Sequence, residues 1–211
     1  QYDLYVWQAN KNIILNTFLS KDFDTSFLIG GSKFYGSGFH LLSMPIEYLV
    51  QKFSFILNFD TETNTLLSKH VSVFIFFILS SFFLRKILLL ITKSDLCANI
   101  GTIFYLLYPY LLGHSFFNVK DIPFLSVWLI CTYLIIYISK VFLEKKIIKI
   151  KHLLILSFLT AYLFSIRISG VLILIQYLVF FLVTFQLSKI NEIKFIKKFK
   201  KEFILSIILF P

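Results

Sequence analysis

The stretch His114-Ser-Phe-Phe-Asn118-Val-Lys120-Asp121-Ile-Pro123 sets four strongly polar side chains between two long apolar segments. An ionisable residue at the centre of a membrane helix costs roughly 2.5 to 3.5 kcal/mol on insertion scales, so polar groups beside a bilayer usually have a task. If the segment is helical, His114, Asn118 and Asp121 follow i, i+4, i+7 spacing and share a face. A plainer reading stands beside this one: Asp121, two residues before Pro123, is where aspartate commonly caps a helix, and Lys120 pairs with it or snorkels. Arg167, in Phe164-Ser-Ile-Arg167-Ile-Ser-Gly170, is a second outlier between apolar runs. It can bind a phosphate bidentately, with Gly170 allowing close approach of backbone or ligand; the alternative is a snorkelling arginine at a helix end. Asp3 is a third, or else a helix cap or a solvated loop acid. Together Asp3, Lys120, Asp121 and Arg167 place acid and base groups on one membrane face, a set suited to anionic-lipid chemistry.

The elements that must position these residues follow from hydropathy. Hydrophobic residues make up 58% of the 211 and aromatic ones 19%, with a mean hydropathy of +0.83. The expected fold class is therefore all-α, a polytopic transmembrane helix bundle. Apolar runs predict spans near Val71–Leu84, Ile100–Phe117, Pro123–Ile138, Leu153–Ser165 and Gly170–Leu187, with a sixth starting at Phe203. Arg85, Lys86 and Lys93 follow the first span, Lys140, Lys145, Lys146, Lys149 and Lys151 the third, and Lys189 to Lys201 hold six more after the fifth. These lie on alternate loops, which the positive-inside rule assigns to the cytoplasm and which puts residues 1–65 outside. The net charge of +10 is thus a topology signal, and no nucleic-acid partner is expected. In residues 1–65, the apolar stretch Phe39–Leu57 is interrupted by Pro45, Glu47, Gln51 and Lys52 and is expected as a juxtamembrane interfacial helix. Residues 66–211 are expected as the bundle. The start at Gln1 and the stop at Pro211 inside an apolar run read as a fragment, with a span before it and more chain after it. Cys97 and Cys131 suggest neither a disulfide framework nor a metal site.

The segment Leu106-Leu-Tyr-Pro109-Tyr-Leu-Leu-Gly113-His114-Ser-Phe-Phe-Asn118-Val-Lys120-Asp121-Ile-Pro-Phe resembles the second external loop of GT-C superfamily membrane glycosyltransferases. Within that superfamily it resembles family-39-like proteins of the protein O-mannosyltransferase and lipid A aminoarabinose transferase kind. Phe34-Tyr35-Gly36 resembles the family's Tyr-Tyr-Gly element, Lys69-His70 its Arg-His pair, and Ile166-Arg167-Ile-Ser-Gly170 its later Arg or Lys motif. The resemblance implies a GT-C-like bundle with a long external first loop, in the plasma membrane of a bacterium. It implies inverting transfer of a sugar from a polyprenyl-phosphate donor to a lipid, glycan or protein acceptor on the extracytoplasmic face.

On that resemblance Asp3 is the general base, although many relatives show Asp-Glu where this chain has Asp3-Leu4. Asp121 orients the donor or holds a divalent cation, which the chemistry leaves optional. Lys120 and Arg167 offset phosphate charge, His114 and Asn118 hydrogen-bond sugar or phosphate, and Tyr35 and Gly36 belong to the substrate site. Two other classes stay open: a transporter or flippase of lipid-linked sugars, and a non-catalytic membrane subunit in which Asp121 is only a cap.

Overall fold

The computed structural model describes residues 38–57, 60–144 and 146–188, and they form helices with no strand among them. In order these are α1 (Gly38–Leu57), α2 (Thr61–Thr92), α3 (Asp95–Leu107), α4 (Pro109–Ser115), α5 (Asp121–Leu143), α6 (Ile150–Ile166), a 3-10 turn (Ile168–Leu172) and α7 (Ile173–Ser188). Helices are the expected answer for such apolar segments, because each satisfies its own backbone groups where no water is available.

Among the described residues, three stretches are long and apolar enough to cross a membrane: Leu66–Thr92, Asp121–Leu143 and Ile168–Gln186. The pair α3 and α4 makes a fourth if a bend of 61° is counted within one span. That bend departs from the continuous Ile100–Phe117 span read from hydropathy, and its cause is local. Pro109 takes the first position of α4, and Tyr108 before it is driven to an extended conformation (φ −61, ψ 114), where a helix cannot continue. At 17 residues α6 rises about 26 Å, short of a hydrocarbon core of about 30 Å.

The central helix is α5, which packs on α2, α6 and α7, while α2 also carries α1 and α3. Val73 and Phe77 of α2, Val127, Cys131 and Leu134 of α5, Leu163 of α6 and Ile173 of α7 form the buried core. Polar pairs tie the helices together inside it. Ser80 Oγ and Tyr105 Oη lie 2.7 Å apart between α2 and α3, and Thr160 Oγ1 and Tyr177 Oη 2.8 Å apart between α6 and α7. Trp128 Nε1 donates to Gln176 Oε1 at 2.7 Å, and Gln176 Nε2 donates to Thr132 Oγ1 at 2.9 Å, joining α5 to α7. Such bonds are the usual glue where lipid is as apolar as leucine.

The α2–α3 turn is strapped by Arg85, which donates to Asn99 Oδ1 and Asp95 Oδ1, both at 2.8 Å. Lys93 closes α2 in the left-handed region (φ 55), and its N–H reaches Leu89 O. Beyond that turn the chain doubles back and forth. Lys86 lies over the Tyr133 ring at 5.4 Å, the Tyr137 and His152 rings meet at 5.2 Å, and Phe116 stacks on Phe74 at 5.4 Å. The basic groups of the α2–α3 and α5–α6 connections therefore lie at one end of the bundle, and the α4–α5 and α6–α7 junctions lie at the other.

The expected helix over Phe39–Leu57 is α1. It packs on α2 and α6, with Phe39 edge-on to Phe76 at 5.7 Å. Its inner face buries His40, Ser43 and Glu47, while Tyr48, Leu49 and Phe53 face outward. Buried Ser68 and Ser72 on α2 let the two helices approach closely. Gly38 is required at its start: a Cβ there would lie 1.9 Å from Ser165 Oγ of α6. The boundary expected at residues 65 and 66 falls within α2, whose apolar stretch begins at Leu66.

Candidate functional site

Four of the predicted polar residues meet where the α4–α5 turn faces the end of α6. The helical spacing that suggested a shared face is not what unites them. Helix α4 stops at Ser115, and the chain turns through Asn118 before α5 begins at Asp121. The turn itself closes the group: Asn118 N–H bonds back to His114 O at 2.8 Å, keeping the two side chains together.

Asn118 is the organiser. Its Oδ1 accepts the backbone N–H of Lys120 at 3.1 Å and of Asp121 at 2.8 Å, satisfying donors that the first turn of a helix leaves open. Its Nδ2 donates to Asp121 Oδ2 at 3.0 Å and lies 2.9 Å from His114 Nδ1. The capping role that sequence offered to Asp121 therefore belongs to Asn118. Asp121 sits in the first turn of α5, where a carboxylate also meets the positive end of the helix dipole.

Arg167 completes the site from the far side. It ends α6 with an extended backbone (φ −156, ψ 132), and its Nη1 donates to Asp121 Oδ1 across 46 positions of sequence. The pair is open to solvent, with side chains 38% and 53% exposed. Arg167 Nε and Nη2 and His114 Nε2 make no hydrogen bond among the described residues. Gly170 serves a close backbone approach, since a Cβ there would stand 3.0 Å from the Leu163 carbonyl oxygen. Aromatic rings flank the imidazole, Tyr110 at 4.3 Å and Phe117 at 5.2 Å.

Lys120 stands next to Asp121, and its charge reaches α1. Burial first, and then the positive charges of Lys69 and Lys120, pull His40 down to about 3. Sequence reading passed over His40 and Ser43 and took Glu47 only as an interruption of the apolar stretch. The signal was their i, i+3, i+7 stripe on an otherwise apolar helix, which marks a buried polar face.

Asp3, Tyr35 and Gly36 lie outside the described residues. Around Asp121, where the resemblance leaves a divalent cation as an option, the described residues include no group of three His, Cys, Asp or Glu that could hold a metal. The guanidinium and imidazole nitrogens that make no hydrogen bond among the described residues suit an anionic oxygen ligand. Comparison with protein-family models, with curated proteins and with solved structures finds no match for this chain.

Proposed function

We propose that this chain is an integral-membrane glycosyltransferase of the GT-C kind. It takes a sugar from a polyprenyl-phosphate donor at the membrane face where α5 begins and α6 ends. The observation that carries the reading is the junction of Asp121, Asn118, His114 and Arg167, a preformed polar group at the end of an apolar bundle. Ionisable residues set among membrane spans are functional-site candidates by default. The positive-inside pattern supports placing that face outside the cytoplasm, on the side opposite the lysine-rich connections.

In this reaction the acceptor oxygen forms a bond to the anomeric carbon while the bond from that carbon to the phosphate oxygen breaks. The acceptor proton passes to a base, which the family resemblance places at Asp3, and the charge left on the lipid phosphate is met by Arg167 and Lys120. Asp121 holds Arg167 in place, and each of its oxygens keeps a lone pair for a sugar hydroxyl. Transfer of radiolabelled sugar from a polyprenyl-phosphate donor, by the full chain in proteoliposomes, tests the reading. Wild type supports it by transferring label, with Arg167→Ala and Asp121→Asn inactive though folded.

One observation favours a second reading. The 61° break between α3 and α4 resembles the discontinuous helices that transporters use. Movement of intact lipid-linked sugar across the proteoliposome membrane, with no transfer, selects that reading.

A further inference from the structure

The two ends of the Asn118 amide look alike by shape and are told apart by what surrounds them. One end faces two backbone N–H groups, of Lys120 and Asp121, and must be the oxygen, because an NH2 there would meet donors only. The other end is therefore Nδ2, and its two hydrogens have two targets, Asp121 Oδ2 at 3.0 Å and His114 Nδ1 at 2.9 Å. A nitrogen receiving that hydrogen bond needs a lone pair. His114 Nδ1 thus carries no proton, and the ring hydrogen is on Nε2, since in an imidazolium both nitrogens are donors and neither accepts. The Tyr110 and Phe117 rings pack against the imidazole at 4.3 and 5.2 Å. Nε2, on the opposite edge, makes no hydrogen bond among the described residues.

We propose that Asn118 is a positioning residue that locks His114 as the Nε2–H tautomer, so that His114 serves as a neutral donor to a phosphate oxygen of the lipid-linked ligand. The lock stands on the hydrogen bonds alone, whereas the phosphate target rests on the function proposed above. His114 is on this account a donor and not a base: Nε2 already carries hydrogen, and the Nδ1 lone pair is taken. Arg167 supplies charge, and His114 supplies direction without adding more, so the site distinguishes a phosphate oxygen by geometry as well as by attraction.

The test is solid-state nitrogen NMR of histidine-labelled full chain in nanodiscs, with the His114 signals assigned by their loss in His114→Gln. It is paired with binding of polyprenyl monophosphate. Wild type is expected to show an unprotonated Nδ1 and a protonated Nε2. Asn118→Asp, which still accepts the two backbone hydrogens but has none to give, is expected to move the proton to Nδ1. A glutamine amide places its NH2 near the position of Nε2, and an asparagine amide near Nδ1. His114→Gln should therefore bind polyprenyl monophosphate roughly tenfold or more tighter than His114→Asn, the ratio of keeping or losing one hydrogen bond to a charged acceptor. A protonated Nδ1 in wild type, or equal affinities for the two variants, overturns the role of His114 and leaves the transferase reading standing. The expected tautomer in a wild type that does not bind polyprenyl monophosphate overturns the phosphate target together with the donor proposed for the enzyme.

Discussion

Asn118 and Asp121 hold each other from both ends: the Asn118 oxygen accepts the Asp121 backbone N–H at 2.8 Å while its amide nitrogen donates to the Asp121 carboxylate at 3.0 Å. The carboxylate is thus fixed by its own turn before Arg167 reaches it from α6. Function and stability separate at this point, because the local bond shapes the turn and the long-range pair sits on an open surface.

Arg167→Ala should therefore cost little stability, under about 1 kcal/mol, since both partners are more than a third exposed and solvent screens them. Asn118→Ala should cost about 0.5 to 2 kcal/mol, as loss of a helix-capping side chain does. Thermal unfolding in detergent measures both. A larger loss for Arg167→Ala than for Asn118→Ala would show that the pair is chiefly a clamp between α5 and α6.

A second prediction concerns helix approach. Gly38→Ala puts a Cβ against the side chain and backbone of Ser165, and should destabilise by about 1 to 3 kcal/mol through overpacking. Gly101→Ala is the control, because its Cβ meets only the Leu88 Cδ1 tip at 2.6 Å, which can rotate away. Equal melting temperatures for the two variants contradict the packing of α1 on α6.

How much of this could be read from sequence depended on the range of the interaction. The helices were readable because a membrane leaves apolar segments one backbone solution, but the bend at Pro109 was missed because hydropathy runs straight through it. Grouping His114, Asn118 and Asp121 was sound for a reason other than helical spacing: a turn unites them where α4 ends at Ser115. Arg167 could be placed at the same end of the bundle, but its pairing with Asp121 depends on how α6 packs on α5, which no local pattern encodes. The burial of His40 and Glu47 is likewise tertiary, created by α2 and α6 against α1.

Acid should expose that buried histidine. Burial and the charges of Lys69 and Lys120 hold His40 near about 3, against an ordinary value of 6.5. Between those values the unfolded chain binds a proton that the folded one refuses. The stability contributed is complete above pH 6.5 and is lost as pH falls toward 3. The slope approaches about 1.4 kcal/mol per pH unit. His40→Gln should flatten the curve of stability against pH in that window, and a wild-type curve no steeper than that of the variant contradicts the burial.

Inside the bundle, Gln176→Leu removes the acceptor of Trp128 and the donor to Thr132 together. Interhelical hydrogen bonds in membranes contribute about 0.6 to 2 kcal/mol each, so the loss should be of that order. In a double-mutant cycle with Trp128→Phe the two substitutions should couple; strict additivity would show that α5 and α7 do not meet through this pair.

The central claim is that the Asp121 junction receives a polyprenyl-phosphate-linked sugar and releases the lipid phosphate. The most direct measurement is release of polyprenyl phosphate from that donor by the full chain in proteoliposomes containing an acceptor extract, comparing wild type with Arg167→Ala. The account predicts steady release by wild type and a loss of at least tenfold in the variant, with its melting temperature nearly unchanged. No release by wild type, or equal release by both proteins, contradicts it.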